Sequence, residues 1–388
     1  MSKNFEERRS VSFNNPVNLR VLIYSDHFYP SIGGSENYAL DLANELSRIG
    51  CTVGVVTAEF TDVPDNFHFK IYRIMRPIYI RKLNFNFMEI PRIIADFKPD
   101  IFHINYQTGG ENLLIFLLRL MKLPIVLTYH ADHFVLLGKM LDELQVLFSF
   151  RFVNRIMVQS SRDESKFISR GFPRTKLTMF GFNAVDTKLF QCNKRSEDEK
   201  EGINLICIAK LDTLHKYKGI DSLIDLVFRD RNLLSKLNFK LKIVGSGNLR
   251  IFYEDMVRKL GLSFVTFLGH LSTHELIDEI CKSDFLILPS ISKAEGFGRV
   301  VLEALSCGTP VIVSKYAGVS ELVGKYDAGK VYDPFSSFSL GEYFQTAREN
   351  SGLLSNQKEN GYRMLQAEKL TIDDIISQTL GIYYESIR

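Results

Sequence analysis

The chain of 388 residues is poor in cysteine, and its five thiols (Cys51, Cys192, Cys207, Cys281 and Cys307) include no C-x-x-C pair. An odd number at wide spacing argues against a disulfide framework or zinc, and for free buried thiols in a reducing compartment. An excess of one charge is lacking too. Lys and Arg number 48 against 45 Asp and Glu, a net charge of +3 that is too near neutral to demand a nucleic-acid partner. Long apolar runs are missing. The strongest, LLIFLLRLMKLPIVL at 113–127, is interrupted by Arg119, Lys122 and Pro124 and is too short and broken to span a bilayer. It reads as a buried helix, a turn and a strand. The first 18 residues lack a signal peptide's apolar core and read as a loose polar tail, so the expected location is cytoplasmic. No D-x-D metal motif and no G-x-G-x-x-G fingerprint occurs. Nothing resembles a Ser-His-Asp arrangement or an activated Cys, so no covalent nucleophile of those kinds is expected.

What is present is an ordinary globular composition, 45% hydrophobic and 24% charged, at a length that favours two domains. Short β-branched runs alternate with amphipathic stretches throughout, as in parallel sheets built from βα units. Strands are expected at 19–25, 51–58, 69–75, 100–105, 125–130 and 155–160, with a short one at 175–180. The helix between the first two, 36–50, carries its stripe on Leu40, Leu42, Ala43 and Leu46. QCNKRSEDEKEG at 191–202 is nearly free of apolar residues and reads as a linker. Strands resume at 203–210, 238–245, 263–269, 284–290, 310–315 and 329–333, and two helical stretches close the chain at 336–368 and 372–387. The last has an apolar stripe through Ile375, Ile376, Leu380 and Tyr383. The expected layout is a tail over 1–18, a first domain over 19–190, a linker over 191–202 and a second domain over 203–371. Sheets of this kind place ligands beyond the carboxyl ends of their strands.

One strand-end loop stands out: SKAEGFGRVVLEALSCGTPVI at 292–312. Gly296 and Gly298 remove side chains where backbone meets ligand, and amides at a helix N-terminus suit a phosphate. Glu303, eight residues after Glu295, is a carboxylate that two vicinal hydroxyls of a ribose or sugar ring can bond. Phosphate and vicinal hydroxyls together describe a nucleotide sugar. The bare spacing fits equally a glycine-rich turn opening a buried helix, with both carboxylates on solvent.

The full stretch, E-G-F-G, a second Glu and then A-L-x-C-G-T-P-V-I, closely resembles the donor-site signature of the family-4 retaining glycosyltransferases (glycosyl transferases group 1). The resemblance implies a GT-B fold, two facing Rossmann-like doubly wound domains with an inter-domain cleft, and the last helix, about 372–388, packing back on the first domain. It gives Glu295 the donor sugar's hydroxyls and Glu303 the ribose, with Gly296, Phe297 and Gly298 between them on the diphosphate. SDHFYPSIGGSENYA resembles the family's P-x-x-G-G loop, which puts Gly33 and Gly34 by the donor phosphate or the acceptor. IAKLDTLHKYKGIDSLI resembles its R-L-x…K-G element, so Lys218 matches the phosphate-binding Lys. Lys210 stands where Arg is usual and loses the planar fork. VGSGNL resembles the V-G-x-G loop and brings Gly245 and Gly247 close to the donor. In TYHADHF, His130 matches a strand-end His near the transferred sugar, positioning or electrostatic in role, with Asp132 and His133 on the acceptor side. His103, mid-strand, and Asn183 and Asp186, in the element that resembles P-N-G-V-D…F, read as structural.

The resemblance implies metal-independent transfer of a hexose from a UDP-, GDP- or ADP-sugar to a hydroxyl, with retention at the anomeric carbon. A sugar-nucleotide epimerase of the same architecture and a non-catalytic sugar-nucleotide-binding partner of a synthase complex are the rival readings. Residues 66–88 hold Lys70, Arg73, Arg76, Arg81 and Lys82 among aromatics without one acid, and 134–153 is unusually apolar. Both fit an anionic membrane face and a lipid-linked or growing-glycan acceptor, or else a solvated strand and a core helix.

Overall fold

The computed structural model describes residues 18–31, 34–58, 67–74, 89–106, 111–130, 150–158, 161–179, 183–192 and 202–388. Gly33, Asp132 and His133 lie outside them, as do Arg76, Arg81 and Lys82, most of the expected linker and nearly all of 134–153. The chain divides into two compact units, residues 1–182 together with Asp373–Arg388, and Asn183–Ile372.

The sheet of the first unit comprises β1 (Arg20–Ser25), β2 (Thr52–Thr57), β3 (Lys70–Arg73), β4 (Ile101–Tyr106), β5 (Ile125–Tyr129), β6 (Arg155–Val158) and β7 (Leu177–Met179). They lie in the order β3-β2-β1-β4-β5-β6-β7, and every described pairing is parallel. Because parallel strands are covered on both faces, their sequences are continuous apolar runs rather than alternating ones. Leu22, Tyr24, Phe102, Ile104, Ile125 and Leu127 fill the core on one face. The helix Gly34–Arg48 buries Tyr38, Ala39, Leu42, Ala43 and Leu46, and leaves Leu40 half-exposed. The stripe therefore begins one residue pair earlier than the leucine pattern suggests.

The helix Ile372–Ile387 buries Ile375, Ile376, Thr379, Leu380, Ile382 and Tyr383. Tyr383 is fully buried, and its hydroxyl lies 2.6 Å from His103 Nδ1 on β4. Asn154 Nδ2 donates to the Ser386 carbonyl at 3.2 Å. This helix is thus part of the first unit's packing.

The second sheet comprises β8 (Asn204–Ile208), β9 (Lys240–Val244), β10 (Val265–Gly269), β11 (Phe285–Leu288), β12 (Val311–Ser314) and β13 (Gly329–Tyr332). Their order is β10-β9-β8-β11-β12-β13, again parallel throughout. Helices cover both faces. Leu205, Leu241 and Ile287 pack with Leu223, Ile224 and Val227 on one side. Ile206, Leu286 and Val313 pack with Val301, Leu302 and Leu305 on the other. The expected helical stretch 336–368 is two helices, Leu340–Glu349 and Ser351–Ala367, parted at Asn350, whose side-chain oxygen accepts from Gly352 N at 3.2 Å. Asn competes with helical bonding by such local caps.

Cysteine is where the sequence reading fails. Cys192 and Cys281 form a disulfide, with Cα atoms 5.7 Å apart, and Cys51, Cys207 and Cys307 are buried free thiols. The sulfurs of Cys192, Cys281 and Cys307 all lie within 4.8 Å of one another. Linear spacing could not show this, because the three come from a connecting segment and the ends of two helices.

Candidate active site

In the second unit the strand order reverses between β8 and β11. These two pair in register, Leu205 with Phe285 and Cys207 with Ile287, so the loops that follow them leave the same end of the sheet. After β8, the turn Thr213–Lys218 is capped by Asp212, whose Oδ1 accepts from His215 N at 3.0 Å. Gly219, in the left-handed region, ends the turn. Ile291 N donates to the Tyr217 carbonyl at 2.9 Å and ties the turn to the loop after β11.

Lys218 is thereby delivered to Glu295. Its Nζ lies 2.7 Å from Glu295 Oε1, and Ser290 Oγ donates to Oε2, also at 2.7 Å. The Glu295 side chain is 5% exposed and that of Lys218 is 19% exposed. On β8, burial pushes the Cys207 thiol up to about 12, with Lys218 pulling it down and Glu295 pushing it up. The site is therefore a buried carboxylate held on both oxygens, beside a cation with a face still open to solvent.

The loop then turns into the helix Arg299–Ser306 through Gly298, whose φ of 94° belongs to the left-handed region and where a Cβ would lie 2.7 Å from a Leu288 methyl. Packing alone accounts for that glycine. Gly296 differs. It is exposed, its φ is not left-handed, and a Cβ there would meet nothing within 4 Å. The loop is fixed from behind, because Gly318 N donates to the Gly296 carbonyl at 2.9 Å and Val319 N to the Phe297 carbonyl at 3.0 Å. Phe297 is half-buried, and so is Glu303, just past the first turn of the helix.

Gly245 and Gly247 follow β9 next to the same strand end. A Cβ at either would lie 1.8 Å from the Ala209 carbonyl or 2.2 Å from that of Leu211. Their want of side chains is a matter of backbone packing on the segment after β8. Lys210 lies on that segment and is exposed.

In the first unit the reversal falls between β1 and β4. Across their ends Ser25 pairs with Asn105, and Asn105 with Thr128 of β5, all fully buried. His130 follows β5 directly, half-buried, with Nε2 2.5 Å from Asn105 Oδ1. His103 bonds Thr128 Oγ1 through Nε2 at 2.8 Å and Tyr383 through Nδ1. Burial lowers both imidazoles to about 3, and His130 adds to the effect on His103. Both are neutral near pH 7. Gly34 opens the helix Gly34–Arg48. Asp186 Oδ1 accepts from Lys188 N at 2.9 Å and Leu189 N at 3.1 Å, holding a turn.

Of the residues singled out from sequence, Lys218, Glu295, Gly296, Phe297, Gly298 and Glu303 share one loop–helix system, with Gly245, Gly247 and Lys210 on neighbouring strand ends of that sheet. His130 belongs to the first unit. Ser290, Ser25 and Asn105 were not singled out. Their one signal was position, a polar residue closing an apolar strand run.

Two family models match the chain: Glycosyltransferase Family 4 over residues 32–189 and glycosyl transferases group 1 over residues 193–364. The chain belongs to the group 1 glycosyltransferases. An uncharacterized glycosyltransferase of Methanocaldococcus jannaschii is 26% identical, over 94% of this chain and 98% of the relative. The O-antigen chain mannosyltransferase C of Escherichia coli is 25% identical, over 94% and 98%. HepE of Anabaena, solved in complex with UDP, superposes with a TM-score of 0.73 at 19% identity, over 94% of this chain and 99% of HepE. The fold is GT-B. This group 1 glycosyltransferase is an enzyme that transfers a sugar from a nucleotide sugar, which sets aside the epimerase and the non-catalytic partner.

The ion pair makes an energetic prediction for the ligand-free glycosyltransferase. Lys218→Ala leaves a buried carboxylate with Ser290 as its remaining bonded partner and is expected to cost about 3 kcal/mol in urea unfolding. Adding Glu295→Gln to it should recover part of that loss. With the Glu295→Gln single variant measured as well, a double-variant loss equal to the sum of the two single losses would show that the two side chains do not interact.

Proposed function

We propose that the chain moves a hexose from a nucleoside-diphosphate sugar to a hydroxyl of a lipid-linked or growing glycan, with retention of anomeric configuration. The observation that carries this reading is the open backbone at Gly296 beside the Lys218–Glu295 pair, where no packing need explains the glycine. In this reading Glu295 accepts hydroxyls of the donor sugar, Glu303 the ribose hydroxyls, and Lys218 the diphosphate. Lys210 and the amides of Gly296–Gly298 contribute to the diphosphate, and Gly33 and Gly34 serve the donor phosphate or the acceptor. His130 sits by the transferred sugar, and Asp132 and His133 serve the acceptor.

Chemically, the acceptor oxygen attacks the anomeric carbon from the face that the leaving group departs. The bond from that carbon to the diphosphate oxygen breaks through an oxocarbenium-like state, and the acceptor proton passes to the leaving diphosphate. The barrier falls because charge developing on the diphosphate meets preorganised cations and amides. Lys218 is suited to this, since Glu295 fixes it before donor binds. The proposed cationic groups are protein side chains, so transfer is expected to persist in EDTA.

UDP is a reasonable first nucleotide to test, given that HepE was solved with it. The glycan acceptor is supported by the likeness to an O-antigen mannosyltransferase. No helix among the described residues is long and apolar enough to cross a membrane. For the part of 66–88 that is described, Lys70 lies over the Tyr72 ring and Arg73 donates to the Tyr29 carbonyl. We place the working enzyme at the cytoplasmic face of the membrane.

Two outcomes are expected. In thermal-shift and calorimetric screening of UDP-glucose, GDP-mannose and ADP-glucose, at least one raises the melting temperature by the mass-action increment. Gly296→Ala should unfold within about 1 kcal/mol of the native chain yet lose most of that shift. An undiminished shift in Gly296→Ala defeats the site. With liposomes rich in anionic lipid at low salt, the chain should float with the vesicles, and recovery in the soluble fraction would remove the membrane from the reading.

A further inference from the structure

The hydrogen bonds around Asn105 settle a question that the histidine alone leaves open. The Asn105 side-chain nitrogen lies 3.1 Å from the Ser35 main-chain carbonyl and 2.9 Å from Ser25 Oγ. A carbonyl can only accept, so the atom facing it is the NH2 group, and the amide has one orientation. Ser25 Oγ gives its own proton to the His27 carbonyl at 2.7 Å, and is left to accept from Asn105. Asn105 Oδ1 is then the atom 2.5 Å from His130 Nε2. Since that oxygen also only accepts, the ring nitrogen facing it carries the proton.

We infer that Asn105 is a positioning residue of the transfer reaction, fixing His130 as the neutral Nε2–H tautomer with the lone pair on Nδ1. This rests on the proposal that His130 lies by the transferred sugar. A ring so held presents an acceptor at Nδ1, the group that meets a sugar hydroxyl. It is not a cation for the diphosphate, which leaves that work to the lysines. The support is stiff: Ser25 and Asn105 are fully buried, on paired strands, and the third partner is main chain. The titratable groups whose contacts with His130 are described are Tyr38, with its ring centroid 5.4 Å away on the helix Gly34–Arg48, and His103 on β4. Neither bears charge near neutral pH, and neither favours the imidazolium.

The experiment is long-range proton–nitrogen correlation on the full chain labelled with 15N-histidine at pH 7, His130 being assigned by its loss in His130→Ala. The expected pattern is a single neutral tautomer with the proton on Nε2. Asn105→Ala should give a tautomer mixture, and lower kcat roughly 10-fold or more with little change in donor KM. The substrate is whichever of UDP-glucose, GDP-mannose and ADP-glucose stabilises the chain most. Asn105→Asp, close to isosteric, should raise the imidazole pKa, and turnover should then fall as pH drops through the new value, because the charged form loses its acceptor. A wild-type His130 protonated on Nδ1, or charged at pH 7, overturns the assignment whatever the activity. So does an Asn105→Ala variant with native kcat. Unchanged turnover in His130→Ala removes the role given to His130, and with it Asn105's part in the reaction, while the tautomer is still read independently from the spectrum.

Discussion

Parallel pairing of β8 with β11 is the constraint on which the second unit's chemistry depends. Two strands distant in sequence are made neighbours, and their following loops must share one end of the sheet. Lys218 comes from one loop and Glu295 from the other, 77 residues apart in the chain, yet 2.7 Å apart in space. Burying a carboxylate alone would cost several kcal/mol, and here the cation and the Ser290 hydroxyl offset it. Such a pair adds little net stability compared with apolar residues of like size. Its use is geometric, because it holds a cation in place before any anion arrives.

The first unit applies the same constraint to neutral groups. The reversal between β1 and β4 lines up Ser25, Asn105 and Thr128 across adjacent strands. Burial keeps the two imidazoles bonded to this row uncharged, lowering both to about 3. Tyr383, from the last helix, closes this network on His103. A strand-end histidine and the chain's final helix are thereby parts of one buried arrangement.

The sheets were legible because parallel strands are apolar runs, and such runs survive in the sequence whatever lies around them. The E-G-F-G…E stretch was legible because its spacing follows one loop and one helix. What escaped depends on contacts between distant segments. The Cys192–Cys281 disulfide joins residues 89 apart and has no local signature. Gly245 and Gly247 resemble a loop that passes close to the donor, and the carbonyls of Ala209 and Leu211, which only the fold brings there, also require glycine at both positions. Asn105 looked like the end of a strand, and only the Ser35 carbonyl beside it reveals its orientation. Asp132 and His133, expected on the acceptor side, lie outside the described residues.

The central claim is that Lys218, preset by Glu295, receives the donor's diphosphate while Gly296 leaves room for it. The direct measurement is a crystal structure of the chain with UDP-glucose, or with whichever nucleotide sugar binds it best. The account predicts a diphosphate oxygen within hydrogen-bond distance of Lys218 Nζ, sugar hydroxyls on Glu295, and ribose hydroxyls on Glu303. A diphosphate bound away from Lys218 and from the 295–298 loop would contradict it.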